Sequence, residues 1–228
     1  MGALNRCAAV AALIALQSLW LPARAAAAPG SVSTSANAGD AALVSQIASR
    51  LARANGVRAH FTQTQTLAAM KAPLVSTGSL LFFRERGVIW QVETPYRKTW
   101  IMRDSGFTVI DADGQPDQRA RNGGARGTRG AAEIAKMMRS MLGGDLSGLY
   151  SQFDVAARGT PAQWQMRLVP RQPQLAQALR GIEMEGGEFL HGLRITFANG
   201  DVTQYDFSGS AQVSELAPAD QKLFGTPQ

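Results

Sequence analysis

Two histidines, His60 and His191, a single cysteine, Cys7, and 17 acids are the residues from which this chain would have to build a hydrolase, a metal centre or a redox site. His60 stands in an alternating stretch, out of phase with Phe61. His191 stands beside Gly192. Neither has a second ligand at the spacing a metal site requires. No G-x-S-x-G and no Walker loop occur. Asp104 precedes Ser105-Gly106, and Asp111 and Asp113 flank another turn, so all three read as turn formers. No spacing nominates a catalytic carboxylate pair. The expectation is a protein that is not an enzyme and has no cofactor and no metal. Residues 119–130 (RARNGGARGTRG) hold Arg119, Arg121, Arg126 and Arg129. They lack the interleaved aromatics of a nucleic-acid tract. They read as a solvated loop or as a dock for an acidic partner or lipid headgroup, not as a nucleic-acid site.

The chemistry that remains is apolar. In GSLLFFRERGVIWQVETP (78–95), Leu80 and Phe82 point to one face of a strand, and Leu81 and Phe83 to the other. A sheet with two apolar faces must be covered on both, or hold something on one. Phe61, Leu80, Phe82, Trp90, Trp100 and Met102 come from four neighbouring strands in a period-two register. They are the candidate wall of a cavity. A turn of even length near Glu85-Arg86 is expected to keep Phe82 and Trp90 on one face. Ile134, Met138 and Met141 lie on one side of a helix over 131–142, and a Met-lined wall can repack around different ligands. Trp90→Glu is expected to abolish binding of an apolar dye while the secondary structure stays the same.

These residues need a scaffold, and the scaffold needs a compartment. Arg6, the apolar run Cys7–Leu21 and the small residues around 22–28 have the three-part layout of a secretory signal peptide, cleaved near 25–29. The run is too short for a membrane span. Cleavage would remove Cys7, leave no thiol to carry lipid, and reduce 23 basic residues to 21 against 17 acids, for a net charge of +4. Residues 29–40 read as a flexible leader and 41–228 as one domain.

Within that domain Asp40 reads as the cap of a helix over 41–54, with Leu43, Val44, Ile47 and Leu51 on one stripe. Strands are predicted at 57–66, 77–84, 87–93, 99–104 and 107–111. After the helical insertion they resume at about 152–158, 162–169, 181–186, 189–198 and 201–208, with a helical turn after Pro173 and a closing helix over 217–224. Roughly ten antiparallel strands with a leading helix and a helical insertion argue for a mainly β, α+β fold of the sandwich or barrel kind.

Phe61-Thr62-Gln63, Gly78-x-Leu80, Arg84, Trp90, Pro95 and Asp104-Ser105-Gly106, in that order and spacing, resemble the N-terminal half of the periplasmic lipoprotein carriers of the LolA family. The likeness covers residues 41–112; beyond them it is one of element order. It implies an incomplete antiparallel β-barrel closed by an α-helical lid, with a hydrophobic concave face that binds acyl chains. The outer side of 78–95 would then pack against the leading helix or face out. The resemblance also implies that Arg84 latches the lid by bonding its backbone, and that Trp90 lines the cavity. The chain departs from the family at Glu85, where a proline is usual. Few residues follow the last strand, so the family's C-terminal extension is expected to be absent. The implied function is a monomeric periplasmic shuttle, without stable membrane insertion. It would carry a lipoprotein or another lipid from an inner-membrane loader to an outer-membrane acceptor. The alternatives are an envelope protein-interaction module and an unrecognised enzyme on the same scaffold.

Overall fold

The computed structural model describes residues 33–103, 106–117 and 147–225. The signal-peptide reading, the Arg/Gly-rich segment 119–130 and the helix over 131–142 with Ile134, Met138 and Met141 lie outside them.

Helix α1 (Ser33–Leu51) opens the described chain. Five strands follow: β1 (Gly56–Thr66), β2 (Leu74–Phe83), β3 (Gly87–Thr94), β4 (Lys98–Arg103) and β5 (Gly106–Ile110). A short helix α2 (Ser147–Gln152) leads into β6 (Phe153–Thr160) and β7 (Gln163–Pro170). The helical turn α3 (Pro173–Ala176) precedes β8 (Leu179–Gly186), β9 (Leu190–Phe197) and β10 (Val202–Val213). Helix α4 (Pro218–Phe224) closes the chain. All ten strands form one antiparallel sheet in the order β5-β4-β3-β2-β1-β10-β9-β8-β7-β6, not closed into a barrel. The two halves of the chain meet at its centre, where β1 pairs with β10.

The ten predicted strands are present, with shifted ends. Helix α1 begins at Ser33 rather than at residue 41, so Asp40 lies within the helix and is not its cap. The helix ends at Leu51, short of the Asn55-Gly56 expected to end it, and Gly56 is instead the first residue of β1, without the positive φ of a helix-ending glycine.

The β2–β3 loop is Arg84-Glu85-Arg86, closing between Phe83 and Gly87. A loop of odd length pairs even-numbered residues with even-numbered ones, so Leu80 faces Trp90 and Phe82 faces Val88. Phe82 and Trp90 do share a face. The expectation of an even turn was wrong in its reason, since an even loop would have put them on opposite sides. Gly87 takes the positive φ of 112° that this loop requires.

The two faces of the sheet are covered differently. The inner face carries Ala59, Phe61, Leu80, Phe82, Val88, Trp90 and Met102 from the first half. From the second half it carries Trp164, Met166, Leu168, Ile182, Met184, Leu193, Ile195, Tyr205 and Phe207. Val44, Ile47 and Leu51 of α1 pack into the same cluster, and α1 lies against β6. The outer face of the first half carries Leu81, Ile89 and Ile101, which pack against Leu216 and Phe224 at the C-terminal end. The leading helix is therefore on the side of Leu80 and Phe82, not behind them. The closing helix α4 shields the opposite side. Three arginines hold it there. Arg58 pairs with Asp220 at 2.5 Å, Arg86 donates to the carbonyl of Gly225 at 3.1 Å, and Arg103 donates to that of Leu223 at 3.1 Å. In the second half the outer face is polar, with Arg167, Glu183, Arg194 and Gln204 side by side across β7, β8, β9 and β10.

Candidate functional site

The inner face is the candidate site. Its centre is an aromatic cluster drawn from both halves of the chain. The Phe61 ring stacks on Trp90 with centroids 4.3 Å apart and planes at 30°. Tyr205 meets Trp90 edge-on at 5.2 Å and Phe61 at 6.2 Å, and Phe207 lies 6.3 Å beyond Tyr205. Offset and edge-on arrangements of this kind suit the ring quadrupoles.

The local sequence explains how Phe61 reaches Trp90 across an intervening strand. Phe61 on β1 pairs with Gly78 on β2. A Cβ at position 78 would lie 2.8 Å from Phe61 Cζ and 1.9 Å from the carbonyl oxygen of Gln91. The glycine leaves the room over which the ring extends. That is the physical content of the Gly78-x-Leu80 motif: Gly78 admits the ring, and Leu80, one step inward on the same face, packs beside it.

Five of the six wall candidates, Phe61, Leu80, Phe82, Trp90 and Met102, are buried in this one cluster, and Trp100 packs against it partly buried. Sequence reasoning missed Tyr205 and Phe207. Both lie in the alternation of β10, but nothing in that alternation says that β10 pairs with β1. Burial in this apolar setting pushes the Tyr205 phenol up to about 12. The Tyr150 phenol on α2 is also raised, by burial first and by the charge of Asp40 second. Two polar atoms in the described part of the site, Trp100 Nε1 and Tyr150 Oη, are buried without a hydrogen-bond partner. Trp164, by contrast, donates its Nε1 hydrogen to the carbonyl of Gly187 at 3.0 Å.

The free space beneath α1 is small. An apolar cavity of about 40 Å³ lies under the C-terminal end of α1, lined by Leu51, Ala59, Leu80, Phe82, Met184 and Phe207 among others. Arg84, expected as a latch on residues 131–142, has described contacts only at the end of α1. Its Nη2 donates to the carbonyl of Ala52 and, at 3.2 Å, to that of Ala54. Its own backbone N–H donates to the carbonyl of Asn55 at 2.8 Å. The last turn of α1, whose carbonyls would otherwise lack partners, is thereby tied to the β2–β3 loop. His60 on β1 and His191 on β9 are both exposed, with β10 between their strands, and among the described residues no group of acids, histidines or cysteines could hold a metal ion.

A family model described as outer membrane lipoprotein carrier protein LolA-like matches residues 34–223. The chain belongs to the LolA-like family. The match takes in both halves of the sheet, including the strands from β6 to β10 that carry Tyr205 and Phe207. Among solved structures, a LolA superfamily protein from Nitrosomonas europaea is 8% identical, with a TM-score of 0.42 over 82% of this chain and 97% of that one. An outer membrane lipoprotein-sorting protein domain from Vibrio parahaemolyticus is 10% identical, with a TM-score of 0.42 over 81% and 99%. MucB in the MucA/MucB complex of Pseudomonas aeruginosa is 15% identical, with a TM-score of 0.45 over 81% of this chain and 61% of that one. This LolA-like chain thus spans less than two thirds of MucB. A search of curated proteins found no match. No helix among the described residues is long and apolar enough to cross a membrane.

Proposed function

We propose that the protein is an exported, non-enzymatic carrier that takes an acyl chain against the inner face of its sheet and passes it between membranes. The observation that carries this reading is the inner face itself. One apolar surface runs across the strands of both halves, with the Phe61, Trp90, Tyr205 and Phe207 rings at its centre. Each buried methylene contributes roughly 0.8 kcal/mol, so a sixteen-carbon chain gains on the order of 10 kcal/mol before ordering costs.

The cavity of about 40 Å³ has room for no more than a few waters, far less than an acyl chain needs. Cargo must therefore displace part of the cover. Helix α1 is the described element that can move, since it is joined to β1 through the short Ala52–Asn55 link and clamped there by Arg84. The orphan donors on Trp100 and Tyr150 suit an ester or carboxyl oxygen at the head of such a chain. Handover then requires an acceptor with higher affinity, and residues 1–28 would place the protein in the periplasm, between an inner-membrane loader and an outer-membrane acceptor.

Lipid extraction of the purified mature protein followed by mass spectrometry tests this. The expected result is co-purified acyl lipid or lipoprotein, and displacement of an environment-sensitive apolar dye by fatty acid. Protein that carries no lipid and binds no dye would favour an envelope protein-interaction module over a carrier. Turnover of a lipid by the pure protein would favour an enzyme.

A further inference from the structure

At one end of the sheet the β1–β2 connection and the β3–β4 turn project side by side, because β1 and β3 end there and β2 and β4 begin. Most of the large apolar side chains that the described fold leaves exposed are gathered at these two tips. Met70 is 46% exposed, Leu74 43%, Val75 52% and Tyr96 83%. Val75 on β2 and Tyr96 in the β3–β4 turn each stand two residues beyond the Thr77–Thr94 pair. The tips also carry Lys71 and Arg97, both exposed, and neither makes an ion pair or side-chain hydrogen bond among the described residues.

Carboxylates at this end are largely engaged. Asp201 accepts from the backbone of Ala68 at 2.8 Å and from Asn199, Asp117 accepts from Lys98 at 2.9 Å, and Asp111 accepts from the turn amides of Asp113 and Gln115. Exposed Glu93 is the nearby acid in the same hairpin. The Ala68–Asp201 bond also braces the β1–β2 connection against the β9–β10 turn.

We infer that these two tips form a docking surface for an anionic lipid bilayer. Each tip sets an exposed apolar side chain directly beside an exposed cation, Met70 with Lys71 and Tyr96 with Arg97, the combination that suits an anionic bilayer surface. Short apolar tips can enter the headgroup layer, a tyrosine suits its depth, and uncompensated cations beside them add attraction to anionic lipid. The inference does not depend on the cargo reading, because none of these side chains belongs to the inner cluster.

The test is co-sedimentation of the full mature chain with vesicles of phosphatidylcholine, with and without phosphatidylglycerol, at low salt. Binding is expected to the mixed vesicles and to be much weaker to the neutral ones. Met70→Ser with Tyr96→Ser should reduce partitioning roughly tenfold or more, from the lost apolar burial. Lys71→Glu with Arg97→Glu should reduce it by a similar factor on mixed vesicles only. Both pairs should keep the wild-type circular dichroism and dye binding. Absence of sedimentation with either vesicle, equal binding to both compositions, or binding that neither pair alters would overturn the inference. A wild type that docks but binds no dye would sink the carrier reading and leave this one standing.

Discussion

Replacing Arg84 by leucine isolates the clamp on the end of α1. The guanidinium donates to the carbonyls of Ala52 and Ala54, and the side chain is part-buried. Hydrogen bonds from a charged donor contribute about 1.5–3 kcal/mol each. Partial exposure and the retained backbone bond from Arg84 to Asn55 lower the expected loss to about 1–2 kcal/mol for the pair. A loss near the middle of that range is about a tenfold shift in an opening equilibrium. The loss should be local. Val44, Ile47 and Leu51 still pack on the inner face, so the sheet keeps its core when the clamp is gone. Native-state hydrogen exchange resolves this residue by residue. Amides in the last two turns of α1 should exchange roughly tenfold faster in Arg84→Leu. Those in the β1–β10 ladder should be unchanged, and the dye should enter faster by a similar factor. Equal acceleration in α1 and in β1–β10 would mean that Arg84 supports the whole fold and clamps nothing. Unchanged exchange in α1 would mean that the contact carries no net energy, and the helix would lose its place as the movable cover.

Gly78→Ala should be strongly destabilising, by roughly 2 kcal/mol or more, because a Cβ there meets the Gln91 carbonyl oxygen as well as the Phe61 ring; a melting temperature within a degree or so of wild type would refute the close approach. Tyr205 titrates late, so between its ordinary value of 10.0 and about 12 the unfolded state gives up its proton while the folded state keeps it. Its share of stability is present below pH 10 and lost as pH rises to 12, on the order of 2–3 kcal/mol, and Tyr205→Phe should flatten denaturation midpoints over that window. Phe224→Ala should cost about 2–4 kcal/mol by emptying the small cluster over Leu81, Ile89 and Ile101, yet leave dye affinity unchanged; a loss of dye binding would place the ligand on the outer face.

The strands were legible because alternation is a local property. Val57–Thr66 and 87–93 announce themselves through side chains two residues apart, and the structure differs only at their ends. What local pattern could not supply was the partner of β1. Its ladder to β10 joins residues about 150 apart, as in Phe61–Phe207, and no spacing near Phe61 points to it. For that reason the aromatic cluster was seen from one half only. The side taken by α1 was left open for a related cause. Leu80 and Leu81 are equally apolar, so the sequence shows that both faces are covered and not by what. Short apolar residues near the end, Leu216 and Phe224, turn out to decide it by covering the outer face. The parity of the β2–β3 loop needed a count from paired residue to paired residue, and only the Phe83–Gly87 closure supplies it.

The central seam has a consequence for how the fold can be cut. Strands β1 to β5 are one meander and β6 to β10 another, and among the described residues their strands pair with each other along β1 and β10 alone. The covalent link between the meanders leaves from β5 and arrives at β6, at the two opposite margins of the sheet. Severing that link would leave two fragments that still share a full ladder, so the protein is suited to reconstitution from separately made halves. By the same topology the two margins, β5 and β6, are not paired with each other, so a change in the sheet's curvature would break no strand pairing.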